Sequence, residues 1–271
     1  MIPASVGFQC PECVAEGRRT VRQARTVYGG RVRQGSRPDV VTLTLIGINV
    51  VVFIITTASG ASLLNGGGGA SSIYQHFALM PVQVAHGQWW RLVTSAFLHF
   101  GIFHIGFNMY ALYVIGPPLE AALGRLRYAT LYVVSGIGGA VLSMAFANIF
   151  EQAAGASGAI YGLFGAFYVV ARHRNVPTNG IVLTIVINLI FTFSGIANID
   201  WHAHVGGIIT GAVVAVIYAA APAPRRTQLQ AAGVVALVVV IAVGGVLGAQ
   251  RVRDKCPHLV TSNGVVLGCT R

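Results

Sequence analysis

The sequence predicts an all-α fold: a polytopic transmembrane helical bundle with a six-helix core and a seventh C-terminal helix. Three observations lead there. Hydrophobic residues make up 55% of the 271 positions and charged residues 9%, with a mean hydropathy of +0.70, against about 25% charged residues in soluble domains. Apolar runs near the length that crosses a hydrocarbon core, about 20 residues, recur with short polar breaks between them. The basic residues behind the formal charge of +11 are scattered through those breaks rather than gathered on one face. That is the pattern of loop residues that set topology, and it argues against nucleic acid as a partner.

In chain order, Arg18, Arg19, Arg22, Arg25, Arg31, Arg33 and Arg37 precede a first apolar span at 40–58. The loop at 59–92 contains a flexible glycine run at 65–69 and Gln88-Trp89-Trp90-Arg91, which reads as a membrane-surface anchor. A second span covers 93–115, followed by Arg125 and Arg127, and a third covers 128–149, followed by Glu151. The fourth, 155–171, opens on Gly155 and closes on Arg172 and Arg174; the fifth, 180–197, leads to Asn198 and Asp200. The sixth, 202–221, ends at a proline-containing linker with Arg225 and Arg226, and the seventh, 231–249, runs into a tail with Arg251, Arg253, Lys255 and Arg271. If the spans alternate, every arginine set except the tail falls on one side, so the N-terminus is cytoplasmic. A six-span chain whose last apolar stretch is re-entrant would bring the tail inside as well. The expected organisation is a basic cytoplasmic segment at 1–39, a six-helix core at 40–221, and at 222–271 a linker, the seventh helix and a short outer tail. One lysine against seventeen arginines suits a GC-rich bacterial genome and its cell membrane.

Topology also narrows the chemistry. Ser157, in Gly155-Ala156-Ser157-Gly158, begins the fourth span and His204 begins the sixth, and both spans enter from the outer side. The two residues therefore share a depth near the outer face, as a nucleophile and its general base require. Taken alone, the tetrapeptide is more often a packing motif, with Gly155 and Gly158 as small contact residues. His104 and Asn108, at i and i+4, share a helix face and can donate to an oxyanion together with backbone N–H groups around Ala156 and Ser157. In a span that starts at 93 they lie two to four turns in, which suits the site only if that helix is broken or starts later. Tyr161 is i+4 from Ser157, and Gly207 with Gly211 forms a small-xxx-small pair that lets the sixth span approach the fourth.

Asp200, i−4 from His204, is either an orienting carboxylate or a loop residue at the water interface. A metal site built from His99, His104, His202 and His204 is disfavoured, because i, i+2 and i, i+5 positions diverge around a helix and no His-Glu-x-x-His occurs. No cofactor is expected. Cys10 and Cys13 form a C-x-x-C, half of a tetrahedral zinc site. Cys256 and Cys269 lie in the outer tail of a seven-span chain, where a disulfide can form.

These motifs, in this order, resemble the rhomboid family of intramembrane serine proteases, in its bacterial type, over roughly residues 85–220: Trp90-Arg91; His99 with His104 and Asn108; Glu120 after Gly116-Pro117-Pro118; Gly155-Ala156-Ser157-Gly158; Tyr161; and Ala203-His204 followed by Gly207 and Gly211. The resemblance implies a Ser157–His204 dyad without an aspartate, His104 and Asn108 as oxyanion donors, and Tyr161 stacked under the imidazole. It implies single-span transmembrane proteins as substrates, cleaved within the lipid bilayer near the outer face. A non-proteolytic rhomboid-like protein that binds transmembrane clients is the alternative. Glu120 and Trp90-Arg91 are read as structural, a loop-ordering carboxylate and an interfacial anchor.

Overall fold

The computed structural model describes residues 2–3, 7–20, 25–30, 39–64, 71–194, 199–262 and 265–270. Arg22, Arg31, Arg33, Arg37, the glycine run at 65–69, Asn198 and Arg271 lie outside them, as do the side chains of Arg18 and Arg19. The elements are β1 (Ile2–Pro3), β2 (Phe8–Gln9), α1 (Pro11–Thr20), α2 (Val40–Ala58), α3 (Ser72–Phe77), α4 (Pro81–Ala85), α5 (Arg91–Thr94) with a 3-10 turn at Ser95–Phe97, α6 (Ile102–Leu123), α7 (Arg125–Phe146), α8 (Ser157–His173), α9 (Asn179–Phe193), α10 (Trp201–Ala220), α11 (Arg226–Lys255), β3 (His258–Ser262) and β4 (Val265–Thr270). The strands form two small antiparallel hairpins, β1 with β2 and β3 with β4. The rest is an all-α bundle.

Each of the seven apolar runs contains a helix. Val40–Ala58, Arg125–Phe146, Trp201–Ala220 and Ala223–Lys255 are long and apolar enough to cross a membrane, and Arg91–Phe97 with Ile102–Leu123 makes a fifth if counted as one broken span. These spans make the chain a multi-pass membrane protein. Helix α9 is apolar but shorter, at 15 residues. Helix α8 is the centre of the bundle, with eleven of its 17 residues buried.

The second run departs from the continuous span expected at 93–115. Its two helical pieces meet at 93°, because Leu98 is extended and Gly101 takes a φ of +88°, a left-handed value that glycine adopts without steric cost. The Ile102 N–H then donates to the Leu63 carbonyl at 2.8 Å, so α6 begins at Ile102. His104 stands in its first turn.

Glycine decides how closely the helices approach. A Cβ on Gly207 would sit on the Gly158 carbonyl, and one on Gly211 on the Gly162 carbonyl, so α8 and α10 touch backbone to backbone. In a bilayer, where apolar side chains gain nothing by leaving lipid, such contact is what holds helices together. At the far end of α6, the buried Glu120 carboxylate accepts from the Val41 N–H at 2.9 Å, the Thr42 N–H at 2.8 Å and the Thr42 hydroxyl at 2.9 Å. It satisfies orphan donors at the start of α2 and places a negative charge on the positive end of that helix. Its role is therefore a helix cap supplied from another helix.

Arg91 differs from the interfacial anchor expected of it. It is 1% exposed and donates through Nη1 to the Ala78 carbonyl at 2.6 Å and through Nε to Gln88 Oε1 at 2.7 Å. It ties the loop containing α3 and α4 together from inside, while Trp90 stays half exposed. That loop is also braced by the C-terminal region. Leu79, Val82, Val84 and Ala85 pack with Met144 of α7, with Ala249 and Val252 of α11 and with Cys256 just beyond it, and Arg253 Nε donates to the Ala85 carbonyl at 2.6 Å. Cys256 and Cys269 are bridged, with Cα atoms 5.2 Å apart, closing the β3–β4 hairpin. At the opposite end of the bundle, Gln230 of α11 donates to the carbonyls of Tyr28 and Tyr218 and accepts from Arg127 Nε at 2.7 Å. This seats residues 25–30 against the helices.

Candidate active site

Two helix starts face each other at the end of the bundle where α6 also begins. Gly155 has a φ of +136°, and a side chain there would strike the His104 ring, its Cβ lying 2.8 Å from Nε2. Only glycine fits that turn. The Gly155 N–H donates to the Ser95 carbonyl at 2.9 Å, and the Ala156 N–H to His99 Nε2 at 3.4 Å, so the broken second run supplies the cradle for the turn before Ser157. The Ala156 N–H is thus turned toward His99 and away from the oxyanion role expected of it. The Ser157 N–H, at the first position of α8, has no partner within its own helix.

Asp200 caps α10, accepting from the N–H groups of His202 at 3.1 Å and Ala203 at 3.3 Å. Its Oδ1 also lies 3.3 Å from His202 Nδ1. It makes no hydrogen bond to His204; it stands ahead of the helix, where the loop reading put it, and serves there as the α10 cap. One turn into α10, His204 is 6% exposed, level with the Gly158–Gly207 contact. There its Nε2 lies 2.9 Å from Ser157 Oγ. The Tyr161 ring stacks on the imidazole, with centroids 3.9 Å apart and planes 12° apart.

His104 and Asn108 complete the cluster. The Phe100 N–H donates to His104 Nδ1 at 3.2 Å. A ring nitrogen that accepts leaves the hydrogen of a neutral imidazole on the other, so Nε2 is a donor, and it is Nε2 that lies beside Gly155. Asn108 Nδ2 spends one hydrogen on the His104 carbonyl at 2.8 Å and keeps a second. Ser157, His204, His104 and Tyr161 are thus brought to one site by α6, α8 and α10, with Gly155, Gly158 and Gly207 shaping it; Asn108 stands one turn after His104 on α6. Gly211 lies deeper and only packs. Cys10 and Cys13 are exposed at α1, and the Cys13 backbone holds the Cys10 thiol below its usual range.

One contributor was not foreseen. The Thr192 hydroxyl, 4% exposed on α9, lies 2.9 Å from His204 Nδ1 and 2.8 Å from the Tyr161 hydroxyl. The available signal was the row Thr184, Asn188 and Thr192, spaced i, i+4, i+8 on a mostly apolar helix, where intramembrane polar groups tend to face the bundle interior.

In this helical membrane bundle a serine and two histidines meet at broken or glycine-bounded helix starts. The family model described as "Rhomboid domain" matches residues 86–221, half of the chain, and the chain belongs to the rhomboid family. It is similar to Rhomboid protease GluP of Bacillus subtilis, 42% identical over 134 residues that cover 47% of this chain and 26% of that protein. It is similar also to RHOMBOID-like protein 5 of Arabidopsis thaliana, 35% identical over 136 residues, covering 47% and 43% of the two chains. With Rhomboid-type serine protease 2 of Emericella nidulans the identity is 30% over 150 residues, covering 54% and 30%. The matched segment is under half the length of each of these relatives.

Proposed function

We propose that this chain is an intramembrane serine endopeptidase that cleaves single-span transmembrane proteins by a Ser157–His204 dyad. The observation that carries the reading is the 2.9 Å contact of Ser157 Oγ with His204 Nε2, made between helices that touch through glycine. Ser157 attacks the scissile carbonyl as its hydroxyl proton passes to Nε2, and the imidazolium returns that proton to the leaving amine. The tetrahedral oxygen takes hydrogen bonds from His104 Nε2, the free Asn108 N–H and the Ser157 N–H, donors already fixed before the charge develops. Water then releases the acyl group. A substrate helix must unwind to present its carbonyl, which suits a segment holding small or helix-breaking residues.

The reading sets the N-terminus in the cytoplasm of a bacterial cell and the site near the outer face. The charge distribution along the loops supports it, and so does the Cys256–Cys269 bridge, a bond that persists in oxidising compartments. Incubation of purified protein with a generic transmembrane substrate, beside Ser157→Ala, tests it: the wild type cleaves and the variant does not. Equal cleavage by both would end the proposal; cleavage by neither, with the client retained on the protein, favours the non-proteolytic alternative. Turnover should fall in acid as His204 gains a proton and can no longer accept one. A rate that rises as the site is acidified counts against His204 as the base.

A further inference from the structure

The hydrogen bonds around His204 define where its own proton sits. Thr192 Oγ1 lies 2.8 Å from the Asn188 carbonyl, 2.8 Å from the Tyr161 hydroxyl and 2.9 Å from His204 Nδ1. The Tyr161 hydroxyl also reaches the Asn188 carbonyl, at 3.0 Å. A threonine hydroxyl has one hydrogen and two lone pairs, so these contacts can be filled in two ways.

With the imidazole hydrogen on Nδ1, that N–H donates to Thr192 Oγ1, Thr192 donates to the Asn188 carbonyl, Tyr161 donates to the second Thr192 lone pair or to Asn188, and Ser157 donates to Nε2. Every hydrogen has an acceptor. With the hydrogen on Nε2, Thr192 must turn its only hydrogen toward Nδ1. Its oxygen then faces the Asn188 carbonyl at 2.8 Å with no hydrogen between them, and the Ser157 hydroxyl hydrogen has no acceptor among the described residues. Donation from threonine to the carbonyl four residues earlier is its ordinary habit within a helix. The first arrangement therefore prevails, and it is the one in which Nε2 can take a proton.

We propose that Thr192 is the positioning residue that fixes His204 as the Nδ1–H tautomer, anchored by the Asn188 carbonyl and the Tyr161 hydroxyl. It rests on the Ser157–His204 reading. Thr192 thereby supplies, from a neutral oxygen, the orientation that a buried carboxylate supplies in three-residue sites. As Ser157 gives up its proton, the Nδ1–H bond to Thr192 persists and steadies the imidazolium without a second charge in the bilayer. Tyr161 acts from two directions, its ring against the imidazole face and its hydroxyl on Thr192.

The test compares wild type, Thr192→Val, Thr192→Ser and Thr192→Ala in detergent or lipid, with 15N-labelled histidine and the His204 resonances assigned by their loss in His204→Gln. In the wild type, His204 should show a protonated Nδ1 and a bare Nε2. Thr192→Val, which keeps the shape, should shift the ring toward the Nε2–H form and lower kcat about tenfold, the size of one lost hydrogen bond, with KM within about twofold. Thr192→Ser should restore both. An Nε2–H tautomer in the wild type overturns the proposal, as does a Thr192→Val enzyme with unchanged kcat and tautomer, or a serine variant as impaired as valine. If valine does not fold, alanine and the wild-type spectrum decide. A failed dyad reading is recognised separately, by Ser157→Ala cleaving like the wild type.

Discussion

Helices α8 and α9 both touch the His204 side chain or its neighbours, yet they are held very differently. Eleven of the 17 residues of α8 are buried, whereas in α9 Thr192 alone is buried among 15. Helix α8 meets α10 through glycines placed against carbonyls. Helix α9 offers lipid a surface of Val182, Leu183, Ile187 and Ile190, each over two-fifths exposed, and reaches the site through the Thr192 hydroxyl and the Asn188 carbonyl. In lipid the hydrophobic effect does not press helices together, so dense backbone contact and buried hydrogen bonds must do so. The comparison therefore separates two tasks. Close packing sets the distance from Ser157 to His204, and a sparse polar contact sets which nitrogen of His204 carries hydrogen.

Four substitutions would break or sharpen this division. His104→Ala, which removes the proposed oxyanion donor at the α8 end without touching α9, should lower kcat about 10²- to 10³-fold with little change in KM; a loss confined to KM would remove His104 from the transition state. Gly207→Leu should cost about 10²-fold in turnover, since displacement of catalytic groups by about 1 Å has that effect, and should lower the thermal unfolding midpoint in detergent. Wild-type turnover in that variant would mean that the α8–α10 seam does not set the distance. Glu120→Gln leaves both helices at the site alone but weakens the cap on α2, so an unfolding titration should show a loss of about 1–3 kcal/mol with kcat close to wild type. Smallest of all, Ile187→Ala on the lipid face of α9 should change stability by no more than about 0.5 kcal/mol. A larger effect would reveal packing that α9 does not show.

Much of the site was legible before the fold. Hydropathy and arginine placement put Ser157 and His204 at one depth, and i, i+4 spacing paired His104 with Asn108 and Ser157 with Tyr161. The obstacle to His104, an apparent position deep in its span, disappeared because the chain turns by 93° before Ile102; no hydropathy window registers a bend whose two arms are both apolar. Arg91 looked like a surface anchor because an arginine beside tryptophans at a span boundary usually is one. Its burial depends on the Ala78 carbonyl, a partner thirteen residues earlier. Thr192 was overlooked for a related reason, since a threonine in an apolar helix ordinarily satisfies itself on its own backbone. Asp200 shows the converse: the i−4 spacing that suggested a triad belongs to a helix cap, so its oxygen turns to the N–H groups at the start of α10.

Composition and charge order by themselves determined that the chain is a helical membrane bundle and which residue types share a depth, because solvation of a side chain depends on its own chemistry and its place along the chain. Only the tertiary structure decided that Ser157 Oγ and His204 Nε2 lie 2.9 Å apart, that His104 presents Nε2, and that a threonine from a third helix meets Nδ1. Hydrogen bonds depend on the separation and direction of atoms on different helices, and those follow from where glycine lets two backbones touch.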